Sequence, residues 1–221
     1  MQRQTLIRWC CTLKNSKNMK KIISTIAFLI LIVSCSVTKK AFQTEGQNAI
    51  RNDFTSYLSF MSNEEFNKAF DYFIPELFDV VPKEELVELM EEQFNTPGVE
   101  MSLEKDKILE VEKIKKVEGE FYSKLKYSLL VKMKIEMVKE KNETEKAKEK
   151  RINMAKLILQ RELDAETVVY NYETDFFEIF VEEDVLAISE NGQSNWKFLI
   201  IEEDNNEIIK AIIPEKVLKV E

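Results

Sequence analysis

The chain has no histidine in its 221 residues and no cysteine after Cys35. The first absence excludes imidazole as a general base, as the partner of a serine or cysteine nucleophile, and as a metal ligand. The second leaves everything beyond Cys35 without a thiolate or a disulfide, so that part is held by packing alone. Cys10 and Cys11 are the only other cysteines, and no redox or metal role is expected of them. Four glycines and four prolines leave no room for a long flexible linker or a collagen-like bulk, and there is no internal period of 20–50 residues. Gly-rich phosphate loops, G-x-S-x-G and paired-cysteine metal motifs are missing, so neither a cofactor nor a metal is expected.

Acidic residues are missing from the first 44 positions; the first is Glu45. The segment before Cys35 carries Arg3, Arg8, Lys14, Lys17, Lys20 and Lys21, six of the 32 basic residues. Without that segment the remainder has 26 basic against 40 acidic residues, and its charge is −14 rather than −8. A body of that sign is repelled by phosphate backbones and anionic headgroups. Nucleic acid is excluded as a partner, and so is polybasic attachment to a membrane.

What is present begins with Lys20-Lys21 and twelve residues, Ile22 to Val33, apolar apart from Ser24 and Thr25. As a helix they span about 18 Å at ~1.5 Å per residue, short of a hydrocarbon core of ~30 Å. A basic start followed by a short apolar run has the form of a secretory signal. The run ends in Ile32-Val33-Ser34-Cys35, which resembles the lipobox of bacterial lipoproteins. The resemblance implies cleavage between Ser34 and Cys35, a lipid on the Cys35 thiol, and acylation of the new amine. Two or more acyl chains anchor a protein stably where one does not. On this reading residues 1–18 are an over-extended start, 19–34 the signal peptide, 35–44 a polar tether, and 45–221 a single folded domain. The tether lacks an acidic run, and the expected location is the cell envelope, on the periplasm-facing side of the outer membrane.

In the body, Ile50, Phe54, Tyr57, Leu58 and Met61 recur at helical spacing. Ser62-Asn63-Glu64-Glu65 has the form of a capping box opening a second helix with Phe66, Ala69, Phe70 and Phe73 on its face, broken at Ile74-Pro75. Pro82 suits the first turn of a third helix carrying Leu86, Leu89, Met90 and Phe94. The period then drops to two. Val99, Met101 and Leu103 alternate, Ile108 and Val111 form a second run, and Leu125 to Met137 gives a long strand with lysines on its other face. Lys139 to Arg151 is expected to be a solvated loop and first helical turns, leading into a helix with Ile152, Ala155, Leu159 and Leu163. Strands are expected at Val168–Tyr172, Phe176–Val181, Val185–Ile188 and Trp196–Ile201, and Trp196 is expected to be buried. The acidic triplets Glu182–Asp184 and Glu202–Asp204 read as solvated hairpin turns, since neither has the spacing of a calcium loop.

Helices first and strands after predict an α+β domain, with helices on one face of a mainly antiparallel sheet. The segment DYFIPELFDVVPKEELVELMEEQFN, the long alternating strand, WKFLI and IIPEKV together resemble small envelope members of the nuclear transport factor two-like superfamily, over residues 45–221. That resemblance implies a curved sheet wrapped round a helix, a cone with an apolar pocket. Members include enzymes such as ketosteroid isomerase and scytalone dehydratase, and non-catalytic binding modules. The helix near residues 139–163 departs from the pattern and lies where it could cross the pocket mouth.

An acid and a tyrosine in such a pocket are what an isomerase needs. Asp53 and Tyr57, four apart on the first helix, are the local candidates, against the plainer reading of a surface acid beside a packing tyrosine. The cluster Tyr170, Tyr172, Phe176 and Phe177 is read as sheet packing, with a ligand wall as the alternative. The leading expectation is a lipid-anchored, non-enzymatic envelope protein that binds a protein partner or a small apolar ligand. The alternatives are an acid–tyrosine isomerase or lyase, and a structural homodimer paired through the sheet.

Overall fold

The computed structural model describes residues 16–137, 143–201, 212–213 and 217, with side chains from residue 39 onward. The chain divides into two compact units, Met1–Thr44 and Glu45–Glu221. The described residues of the first are helical and belong to α1 (Ser16–Ser62). Within it, Thr44 Oγ1 donates to the carbonyl of Lys40 at 3.0 Å. No helix among the described residues is long and apolar enough to cross a membrane.

The second unit is α+β, with helices packed on a curved antiparallel sheet of six strands. These are β1 (Val99–Val111), β2 (Lys115–Val117), β3 (Glu120–Ile135), β4 (Thr167–Asn171), β5 (Phe176–Ser189) and β6 (Lys197–Ile200). The main order is β1-β3-β5-β4, with β2 beside β3 and β6 beside β5. The two apolar runs expected near residues 99 and 108 form one strand. Its register shifts between Glu104 and Lys107, where Lys105 takes a φ of 52°. An extra residue at that point explains why the alternation breaks and then resumes.

The long central strand β3 sorts its side chains by pleat. One face carries Leu125, Tyr127, Leu129, Val131 and Met133, and it is covered twice. Over one half lies α1, whose Ile50, Phe54, Tyr57, Leu58 and Met61 are all buried. Over the other lies α4 (Glu145–Glu162), which buries Ile152 and Leu159 against Val131, Val168, Tyr170, Phe177 and Ile179. Thr144 caps α4 by accepting the Ala147 N–H at 3.2 Å. α4 therefore closes one end of the apolar face.

The other face is most continuously apolar near the start of β3. There Tyr122, Leu186, Ile188 and Leu199 are covered by Ile74, Leu77, Ile213 and Val217. Further along, lysines of β3 stand between carboxylates of both neighbours. Lys126 is opposite Glu110 and Asp184, and Lys132 is opposite Glu178 and pairs with Glu104 at 3.1 Å. Opposite charges across strands favour this register, with Leu130 buried among them and Phe180 and Val169 partly exposed on the same face.

Two local expectations are corrected. Glu182–Asp184 is no hairpin turn: β5 runs unbroken through it, with Glu182 opposite Ser128 and Asp184 opposite Lys126. The fourteen residues of β5 satisfy the backbone of a sixteen-residue neighbour, and a break would have left buried ladder groups unpaired. The second helix is also shorter than its apolar spacing predicts. Here α2 (Phe66–Ala69) passes directly into a 3₁₀ turn at Phe70–Tyr72, and Glu65 stands at its N-cap with no side-chain cap. Burial of Phe66, Ala69 and Phe70, rather than helical propensity, holds so short a segment. A second 3₁₀ turn, Pro75–Asp79, leads to α3 (Lys83–Phe94), with Pro82 just before it. Residues 138–142 and the triplet Glu202–Asp204 lie outside the described residues.

Candidate functional site

The interior between α1 and the sheet is built from rings. Phe54 meets Tyr127 edge-on at 4.9 Å and Phe198 edge-on at 5.0 Å, and lies 5.3 Å from Tyr57. Tyr57 also lies 5.6 Å from Phe73. Phe54, Phe198 and Trp196 are fully buried. Trp196 is in the core, as its place in an apolar strand predicts. Offset and edge-to-face contacts of this kind add to the burial of ring area.

Within this packing Asp53 and Tyr57 have separate tasks. Asp53, half-buried, accepts the backbone N–H of Trp196 at 3.0 Å, tying α1 to the entrance of β6. Tyr57 lies among the rings, where loss of hydration pushes its phenol well above the ordinary value. The spacing of four predicts that the two come together on one face, yet their side chains take different partners. Asp53 is turned to the hairpin end and Tyr57 to the aromatic interior.

The hairpin that Asp53 grips is organised by Ser189 and Asn191. Ser189 Oγ donates to the Ser194 carbonyl at 2.8 Å and accepts the Gly192 N–H at 3.1 Å. Asn191 Oδ1 accepts the N–H groups of Gln193 at 2.8 Å and Ser194 at 2.9 Å. These bonds satisfy a tight turn whose backbone would otherwise be left unpaired. On the helix side, Gln47 Nε2 donates to the carbonyls of Val111 and Glu112, each at 2.9 Å.

A polar network that the sequence did not single out lies under the start of α4. Arg151 meets Glu143 through two bonds of 2.8 Å, and Tyr170 donates to Asp175 at 2.7 Å. Burial first, then the Asp175 bond, raises the Tyr170 phenol to about 12. The bond to Glu143 raises Arg151 still further above its ordinary value. Arg151 and Glu143 lie eight apart, on a helix and in the stretch before it, so no sequence spacing announces them. The cluster expected at Tyr170 to Phe177 is sheet packing: Tyr170 and Phe177 meet at 4.9 Å within the α4 core. Tyr172 is exposed, and Lys134 sits over the ring of Phe176 at 5.5 Å.

A shallow groove, open to solvent, runs beside the β2–β3 end. Glu112, Lys113, Lys115, Tyr122, Leu186 and Val217 line it, mixing both charges over an apolar floor. The Tyr122 hydroxyl is engaged there with Glu120 at 2.5 Å. Among the described residues no three of His, Cys, Asp and Glu are grouped to hold a metal ion. Cys35 and Ser34 fall on α1 in the first unit, before the described side chains. No family model, curated protein or solved structure matches the chain.

Proposed function

We propose that this chain is a lipid-anchored protein of the bacterial cell envelope, facing the periplasm, whose body is a non-enzymatic binding or assembly module of nuclear transport factor two-like architecture. The observation that carries the anchor is the order of features from Lys20 to Cys35: two lysines, a short apolar run, and Ile-Val-Ser-Cys at its end. Each part answers a need of export and acylation. The charge sets orientation, the run enters the translocation path, and the thiol of Cys35 takes the lipid.

The reading of the body draws support from how the interior is used. A ketosteroid-isomerase-like site needs a carboxyl and a phenol facing a cavity that a substrate can enter. Here the candidate carboxyl, Asp53, holds a backbone N–H, and the candidate phenol, Tyr57, packs among rings. Both side chains serve the fold. That use favours a module acting through its surface over one converting a substrate inside.

The anchor is tested by growing cells on an alkyne fatty acid. The wild type is expected to carry the label and to begin at Cys35; Cys35→Ala is expected to be unlabelled and uncut. Equal labelling of both chains overturns the proposal.

A further inference from the structure

Sheet-face pairing needs a contiguous apolar patch, and on the open face of this sheet the exposed Val169 and Phe180 are set among lysines and carboxylates rather than in a broad apolar surface. A denser group of exposed apolar side chains lies on α4. On α4, Met154 is 54% exposed, Leu157 66% and Ile158 47%. Their spacing of three and four places them on one stripe, turned away from the buried Ile152 and Leu159. The same stripe begins with Lys150, one turn earlier, and ends with Arg161, about one turn later; both are exposed. The helix holds six basic and three acidic residues, inside a chain of net charge −8.

The opposite pattern is found on α3. It has five glutamates and one lysine, none of its residues is buried, and Leu89 is 51% exposed between Glu85 and Glu92. One surface reads base, apolar, base; the other reads acid, apolar, acid. Within one copy they stand apart, since α3 lies by β1 and α4 by β4, the two ends of the main strand order. At about 1.5 Å per residue the lengths are roughly 18 Å and 27 Å, so the shorter helix fits along the longer.

We infer that the outer face of α4 docks α3 of a second copy of this chain. The inference rests on the assembly reading of the body and is independent of the lipid anchor. Two different patches meet, so the contact is heterologous and copies join head to tail. The flanking Lys150 and Arg161 set register against Glu85 and Glu92 and hold off like-charged surfaces, while Leu89 covers the Met154–Leu157–Ile158 stripe. Salt weakens the contact because its charges are exposed.

The test places the photocrosslinker p-benzoylphenylalanine at position 157 of the full chain, irradiates cells expressing it, and maps the adducts by mass spectrometry. The expected adduct has twice the chain mass and joins position 157 to the peptide Lys83–Phe94. The same residue at position 172, also exposed, is expected to give no adduct with that peptide. Lys150→Glu with Arg161→Glu is expected to cut the yield at least tenfold, and adding Glu85→Lys with Glu92→Lys to restore it. Rescue by the second pair excludes misfolding as the cause of the loss. Adducts to lipid or to a different protein overturn self-docking and leave the assembly reading standing. A chain that runs as a monomer and yields no adduct overturns both.

Discussion

Asp53 on the first helix accepts the backbone N–H of Trp196, 143 positions later, at 3.0 Å. This bond joins the N-terminal half of the domain to the entrance of β6, and the acceptor is charged. Hydrogen bonds to charged groups contribute about 1.5–3 kcal/mol. Asp53→Ala is therefore expected to lower unfolding stability by about that amount. Asp53→Asn keeps an oxygen in place and is expected to lose less. Denaturant unfolding, followed by tryptophan fluorescence in a Trp9→Phe background, measures both. Equal, negligible losses would return Asp53 to the role of a surface acid, or of one free to do chemistry.

Seven residues earlier the same helix comes close to that hairpin. A Cβ built on Gly46 would stand 2.4 Å from Cδ1 of Ile114 and 2.5 Å from the carbonyl oxygen of Gly192. Alanine raises helix propensity by about 1 kcal/mol over glycine, but here the neighbour is backbone, held by Ser189 and Asn191. Gly46→Ala is thus expected to destabilise by about 1–3 kcal/mol, the cost of overpacking. Thermal unfolding measures it, and a stabilised variant would show that α1 docks less tightly.

These two contacts mark the boundary of what could be read in advance. The stripe Ile50, Phe54, Tyr57, Leu58 and Met61 was legible because a helix on a core repeats every 3.6 residues. The pleat of β3 was legible because apolar residues hold one face and lysines recur on the other. The acidic triplet Glu182–Asp184 misled because acids usually mark turns. Its meaning depends on the lysines of β3, which lie more than fifty positions away. Arg151 and Glu143 were hidden for a different reason: they lie eight apart with Glu143 outside the helix, so no helical spacing pairs them. The acid–tyrosine pair was legible as a spacing. What each side chain does depends on Trp196 and Phe73, which only the fold brings near.

The Arg151–Glu143 pair has side chains 21% and 14% exposed. Removing one partner of such a pair leaves the other charge poorly solvated, and for buried pairs that costs 3–5 kcal/mol. Partial exposure lowers the figure, so Arg151→Met is expected to cost about 2 kcal/mol. Arg151→Met combined with Glu143→Leu is expected to recover part of the loss, because neither charge is then stranded. Urea unfolding of the two single variants and the double variant forms a double-mutant cycle. Additive losses would mean that the bonds, though well aligned, do not couple.

Alkaline stability follows from the tyrosines. Tyr170 is raised to about 12 by burial and by its bond to Asp175, while an unfolded tyrosine ionises near 10. The neutral phenol is the form the fold prefers. Its contribution is complete below about pH 10 and is lost as pH rises through about 12. Tyr57 and Tyr122 are raised in the same direction, chiefly by burial, so all three push the protein to unfold in base. Urea midpoints are expected to hold to about pH 9 and then to fall with increasing pH. Tyr170→Phe gives up the 2.7 Å bond to Asp175 and starts lower at neutral pH, but its midpoint should fall less steeply between pH 10 and 12. A variant curve parallel to the wild type across that interval would mean that Tyr170 ionises freely in the folded protein, with its hydroxyl in water rather than under α4.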